Sequence, residues 1–460
     1  MSIQNLILNV DSYKASHYLQ YPPGTEYVSS YIECRGGEFE QTVFFGLQAF
    51  IKQYLQRAIT TSDIEEAEHL LHAHGLPFFR PGWEHIVQKH AGLLPLEISA
   101  VEEGSVIPLH NITAQIVNTC PACFWLTSYV ETALVRAIWY PSTVATQSRE
   151  IKKTIAHFLR ETADSTKNLP FQLHDFGARG ASSLESAMLG GMAHLVNFQG
   201  TDTISGILGA KKFYNADMPG LSIPAAEHST ITAWGRDGEA SAYQNILHHF
   251  SGKNKTVAVV SDSYDLWHAV ENIWGGQLKN SVKSNGGTLV IRPDSGNPVQ
   301  IVVECVERLM RIFGAHTNSK GYRVLPNYIR VIQGDSVSRI TIPQILQAMK
   351  EHRQSAENIA FGMGGELLQK VDRDLMSFAM KASGIRINGS WRDIYKDPRT
   401  GPEKKSKRGR LALIQLENGE LKTIRLEELD QQKNLLRPVF RNGRLLIDTN
   451  FDEVRKNAAV

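Results

Sequence analysis

Thr288-Leu289-Val290-Ile291-Arg292-Pro293-Asp294-Ser295-Gly296-Asn297-Pro298 runs from an apolar stretch straight into a polar turn, and a helix-like segment follows. A short apolar run bounded by turn residues suits a strand buried on both faces. The same order recurs over residues 171–375. Its runs are Phe171-Gln172-Leu173, His194-Leu195-Val196-Asn197-Phe198, Thr256-Val257-Ala258-Val259-Val260, Tyr328-Ile329-Arg330-Val331-Ile332, Asn358-Ile359-Ala360-Phe361 and a weaker Leu221-Ser222-Ile223. Strand, turn and helix units in series predict parallel strands joined by helical crossovers. The turns hold the chemistry: His174 to Gly180, Gly200-Thr201-Asp202, Glu227-His228-Ser229, Ser261-Asp262-Ser263, Gly334-Asp335 and Gly362-Met363-Gly364-Gly365. A parallel barrel builds its active site at that face, and an open doubly wound sheet also places ligands beyond its strand ends, so the pattern leaves closure open.

Outside that region the pattern changes. Residues 1–165 mix helices with strands such as Thr25 to Tyr31, and short strands return at Arg410 to Ile414 and Arg444 to Ile447. The expected organisation is an α/β barrel-like catalytic domain over 166–384, with 1–165 and 385–460 forming one additional α+β domain. At 460 residues, 42% hydrophobic and 21% charged, the chain has the make-up of a globular enzyme. Its net charge of +2 supplies no long-range field for nucleic acid or an anionic membrane, so anion recognition must be local. Lys404-Lys405-Ser406-Lys407-Arg408-Gly409-Arg410 is read as a basic loop over an anionic substrate, with a nucleic-acid patch as the rival. The short run Leu6-Ile7-Leu8 lacks a basic flank, and no stretch is long and apolar enough to span a bilayer, so a cytoplasmic location is expected. Cys120-Pro121-Ala122-Cys123 has metal or redox spacing but no evident second Cys or His pair, and reads as small residues opening a packed helix.

Several turns suggest ligand chemistry. The amides of Gly362-Met363-Gly364-Gly365 suit an anion, with Arg373 further on to close the site; a plain tight turn is the equal alternative. Arg292 and Asp294 flank a φ-fixing proline and suit a ribose beside a phosphate; equally, the two could satisfy each other. Phe176, Arg179 and Asp202 offer a ring and two opposite charges to a small flat base, although a phenylalanine is also ordinary core. His228 is either a nucleophile or a histidine at a helix start.

Taken together, Asp11-Ser12-Tyr13-Lys14, Tyr31-Ile32-Glu33-Cys34-Arg35, Leu173 to Gly177, Asn197 to Thr203, Pro224 to Thr230, Ser261 to Asp265, Ile291 to Pro298 and Val331 to Asp335 resemble the nicotinamide phosphoribosyltransferase family along nearly the whole chain. The resemblance implies a type II phosphoribosyltransferase fold, an irregular parallel α/β barrel, in a homodimer with active sites at the interface. It implies nicotinamide stacked on Phe176 and covered by Tyr13 of the partner, with Arg179 and Asp202 on its carboxamide. It further implies Arg292, Asp294, Gly334 and Asp335 on the ribose and neighbouring groups, Gly364, Gly365 and Arg373 on the 5′-phosphate, and Arg35 and Lys396 on the pyrophosphate. His228 matches the histidine that family members phosphorylate with ATP. Mg²⁺ is implied, its ligands unassigned. Ala178, Met363 and Glu366 depart from the family pattern, and a glutamate near a phosphate is unfavourable unless it meets a cation. A nicotinate phosphoribosyltransferase and a phosphoribosyl-ligand sensor without turnover are the alternatives.

Overall fold

A computed structural model of the protein describes residues 5–401 and 405–460, so Lys404 of the basic loop lies outside the described residues. The chain forms two compact units: one takes the N-terminal part through 146, residues 209–216 and the part from 372 to 459, the other residues 147–208 and 217–371. The sequence had suggested divisions at 165/166 and 384/385. One long helix, Glu131–Thr162, crosses the observed boundary at 146/147, and a strand, Phe378–Ile387, runs through the expected one at 384/385.

The second unit is built on six parallel strands: β1 (Leu173–Asp175), β2 (Gly200–Thr201), β3 (Thr256–Val260), β4 (Thr288–Arg292), β5 (Ile329–Gln333) and β6 (Ile359–Met363). They lie in the order β2-β1-β6-β5-β4-β3. The weak run at Leu221 joins the two edges through parallel bridges Gly200↔Leu221 and Ala225↔Ala258. Two backbone bonds anchor it, Thr201 N–H to Leu221 O at 3.0 Å and Ala226 N–H to Ala258 O at 2.9 Å. The sheet thus curls into an irregular α/β barrel. Alternating positions fill its interior: Ala258 faces Val290 in register and Ile332 faces Ala360, with Ile223 and Phe176 packed on them. The helix after β4, Pro298–Phe313, begins where Asn297 Oδ1 accepts the N–H groups of Val299 and Gln300, with proline in its first turn. Val302, Cys305, Val306, Leu309, Met310 and Phe313 form its buried stripe at helical spacing.

One expected strand is a helix end. His194 and Leu195 close the helix Leu184–Leu195, and the strand of that unit is Gly200–Thr201. His194 is fully buried between Ser148 Oγ at 2.8 Å and Gly200 O at 3.2 Å, and stacks on Phe198. Periodicity cannot separate a short buried helix end from a buried strand.

In the first unit a seven-stranded sheet pairs both chain ends. Thr25–Cys34 runs antiparallel between Phe378–Ile387 and Ile112–Asn118, followed by Leu96–Ala100 and Arg437–Arg441. Pro121–Cys123 does open a packed turn, leading to the helix Leu126–Tyr129. The expectation that no histidine pair accompanies it is overturned, because His85 and His90 converge on these cysteines.

Candidate active site

The barrel unit links the turn after each strand to its neighbours. Phe176 follows β1, its N–H on Met363 O of β6 at 3.0 Å, and its ring lies directly over Gly362. A methyl on Gly334, after β5, would stand 3.6 Å from both the Phe176 ring and Asp294 Oδ1. Asp202, after β2, gives its N–H to Asp175 O at 2.9 Å and accepts the Ser222 hydroxyl. His228 begins the short helix His228–Thr232 with Glu227 before it. Its Nε2 lies 3.0 Å from Asp262 Oδ1 and its Nδ1 3.9 Å from Asp294 Oδ2. Asp262 in turn accepts the Asp294 N–H at 3.2 Å and the Ser295 hydroxyl at 2.6 Å, so β3 and β4 share one carboxylate. Arg292 approaches Asp294 at 3.6 Å, a partial version of the mutual pairing considered from the sequence. Gly180 lies against Gly365, and Glu366 pairs with Lys370, the cation its position calls for. Arg179 occupies the turn Ala178–Gly180 and is exposed.

Burial shapes the ionisation of this face. Asp294 is raised from its ordinary value chiefly by burial; Asp262 and Asp335 push the same way, and Arg292 and His228 oppose. Burial pushes the Asp175 carboxyl up to about 6, against the pull of the Gly177 N–H it accepts at 2.7 Å. His174, beside Phe176, is lowered by burial, with Asp202 opposing, and so favours the neutral ring. Ser336, next to Asp335, takes φ 54°, a conformation that costs a non-glycine residue about 1 kcal/mol or more. The Gln333 side chain holds that turn through Asp335 O at 2.8 Å.

The remaining candidates belong to the other unit. Tyr13 lies in the helical turn Ser12–Leu19 and is 57% exposed. Arg35 follows the strand Thr25–Cys34, and its Nε is buried without a partner. Arg373 pairs with its neighbour Asp374 at 3.1 Å. The Lys396 N–H donates to Ser406 Oγ at 2.8 Å, tying it to the basic loop. That loop's described charges meet acids or rings: Lys405 meets Asp397, Lys407 meets Glu33, Arg408 covers Tyr395 and Arg410 meets Glu427. A surface gripping a polynucleotide presents its cations to phosphates instead.

Two functional candidates escaped the sequence reading. Asp262 stood in a quoted turn, and its place at a strand end was the available signal. Lys381 interrupts the apolar run Phe378-Ala379-Met380. Burial lowers its pKa, Arg35, Lys14 and Arg373 lower it further, and Glu131 opposes, so cations crowd in this unit. Lys14 itself is buried and paired with Glu131 at 2.7 Å.

Known proteins agree with this architecture. Residues 171–444 match the model of the nicotinate phosphoribosyltransferase (NAPRTase) family, and residues 5–98 that of the nicotinamide phosphoribosyltransferase N-terminal domain. A nicotinamide phosphoribosyltransferase of Xanthomonas campestris is 49% identical over 99% of this chain and 98% of its own. One from Acinetobacter baylyi is 31% identical, covering 98% and 96%. In fold alone, the chain is similar to the nicotinate-nucleotide pyrophosphorylase of Pyrococcus furiosus, with TM-score 0.66 at 14% identity over 100% of this chain and 96% of that one. Human nicotinic acid phosphoribosyltransferase has TM-score 0.57 at 15% identity, covering 97% and 92%. Two family models that between them cover most of the chain and a full-length relative at nearly half identity lead to one assignment: the chain belongs to the nicotinamide phosphoribosyltransferase family.

Proposed function

We propose that the protein joins nicotinamide to phosphoribosyl pyrophosphate, releasing pyrophosphate and nicotinamide mononucleotide for NAD salvage. One observation carries the reading: the Phe176 ring over Gly362, with Asp294 and the His228–Asp262 pair at the neighbouring strand ends. The ring is the platform for the flat base, Arg179 donates to the carboxamide oxygen, and Asp202 accepts from its NH₂. Nicotinate would set a second carboxylate against Asp202, at a cost on the order of 4 kcal/mol. Arg292, Asp294, Gly334 and Asp335 hold the ribose and its neighbours, and Gly364, Gly365 and Arg373 the 5′-phosphate. As the ring nitrogen attacks the anomeric carbon, negative charge gathers on the departing pyrophosphate and positive charge on the sugar. Arg35, Lys396 and Lys381 answer the first charge, and Asp294 the second.

Asp294, raised chiefly by burial and further by the nearby Asp262 and Asp335, offers a hard carboxylate oxygen that would suit Mg²⁺ shared with substrate phosphates. That ion would supply further neutralisation of the leaving pyrophosphate. ATP is the second co-substrate. A hydrogen bond from His228 Nε2 to Asp262 leaves the lone pair on Nδ1, where attack on the γ-phosphoryl group gives phosphohistidine and ADP. The same reading has a cytoplasmic homodimer in which Tyr13, Arg35 and Lys396 serve the partner's site. Purified protein given nicotinamide, phosphoribosyl pyrophosphate and Mg²⁺ should yield nicotinamide mononucleotide by mass spectrometry, more of it with ATP. Faster turnover of nicotinate, or no pyrophosphate from either base, would overturn the reading.

A further inference from the structure

In the antiparallel unit, four side chains converge that the transfer reaction does not use. His85 and His90 stand on the helix Arg80–His90; Cys120 and Cys123 bracket the turn that follows the strand Ile112–Asn118. Their four donor atoms all lie within 4.8 Å of one another. Cys120 Sγ is 3.4 Å from His85 Nε2, and the two imidazole centres are 5.5 Å apart. Both cysteines are free thiols, Cys123 completely buried. His90 Nε2 is buried with no hydrogen-bond partner. A polar nitrogen in that state is unfavourable unless something else occupies its lone pair.

We propose that these residues form a structural zinc site. Two thiolates and two neutral imidazoles are a donor set that zinc takes in tetrahedral geometry. Bond lengths of about 2.3 Å to sulfur and 2.0 to 2.1 Å to nitrogen put tetrahedral edges at roughly 3.3 to 3.8 Å. The Cys120–His85 edge already falls in that range, and side-chain rotation brings the others from within 4.8 Å. Both pairs also have finger-like spacing, Cys-x₂-Cys and His-x₄-His. The backbone around them is preset. Ala91 at φ 51° and Gly92 at φ 77° turn the chain just after His90. The Cys123 N–H reaches Cys120 O at 3.0 Å, and the Asn118 amide donates to the same oxygen at 2.8 Å. Such outer contacts orient ligands before the metal arrives. With all four positions filled by protein, the site is closed to substrate and has a structural role. The ion would clip a helix to a turn, each thiol releasing its proton to solvent on binding. A Cys120–Cys123 disulfide would explain neither the histidine pair nor the orphaned nitrogen.

The test uses the full-length protein, purified under reductant from zinc-supplemented cells, with metal measured by mass spectrometry. One zinc per chain is expected, lost in the double variant Cys120→Ser/Cys123→Ser and reduced in His85→Gln. Exchange of wild type with Co²⁺ should give tetrahedral ligand-field bands with thiolate charge transfer, a readout that does not depend on the variants folding. Chelation should lower the thermal midpoint, with recovery on adding Zn²⁺ and none with Mg²⁺. A wild type holding no more zinc than the double variant, no tetrahedral Co²⁺ spectrum, or an intact mass short by two hydrogens from a disulfide would each overturn the proposal.

Discussion

Replacing Gly362 by alanine attacks the proposed base platform while leaving every charged group in place. A Cβ there would stand 1.9, 2.2 and 2.7 Å from three carbons of the Phe176 ring. Carbon atoms rest at about 3.5 Å or more, so the ring must retreat by roughly 3.5 minus 1.9, or about 1.6 Å. The ring must therefore slide or tilt away from its place over Gly362. Lost stacking is worth about 0.5 to 1.5 kcal/mol, and a shift of that size in the bound base costs on the order of a hundredfold through misorientation. Overpacking adds roughly 1 to 3 kcal/mol of destabilisation. We expect kcat/KM for nicotinamide to fall about a hundredfold, with the KM for phosphoribosyl pyrophosphate changed less than threefold. Initial-rate kinetics with each substrate varied in turn, alongside thermal unfolding, would measure this. Gly276→Ala, outside the proposed site, is the control, because its methyl would be 3.6 Å from Glu271 O, an ordinary contact. A stably folded Gly362→Ala enzyme with wild-type nicotinamide kinetics would refute the role of Phe176.

Asp202→Ser should narrow the preference for nicotinamide over nicotinate by up to about a thousandfold, read from the ratio of kcat/KM values; an unchanged ratio removes Asp202 as selector. His228→Gln should abolish ATP hydrolysis and the gain ATP brings while leaving ATP-independent synthesis, and a variant still stimulated by ATP would exclude phosphohistidine. Lys381→Met should raise the KM for phosphoribosyl pyrophosphate about tenfold or more, and a KM no different from wild type would place Lys381 outside pyrophosphate binding. Glu103, buried and accepting from Gly46 N–H at 2.9 Å and Gln48 N–H at 2.7 Å, is pushed up to about 7 by burial. Because the folded value lies above the ordinary 4.5, its contribution is full below pH 4.5 and is lost as pH rises through about 7. That amounts to on the order of 3 kcal/mol. Unfolding curves from pH 5 to 8 should show this decline in wild type and a flatter profile in Glu103→Gln; parallel profiles would contradict it.

The barrel strands were legible because strands buried on both faces read as apolar runs, and the turns behind them stood out by charge and glycine. The run at His194 failed because helix ends and strands bury equally well over a few residues. Asp262 could be quoted but not assigned, since its role depends on Ser295 and Asp294, which reach it only when β3 and β4 lie side by side.

The order of amino acids by itself determined the strand-turn-helix succession, the chemistry of each turn and the family. Those are properties of neighbours in the chain, set by local pattern and side-chain type. The tertiary structure alone decided what the chain brings together from afar: the bridging of β2 to β3 by the weak run at Leu221, the row from His228 to Asp262, the lysine among arginines, and the meeting of His85 and His90 with Cys120 and Cys123. Register between segments decides such encounters, and no local spacing encodes it.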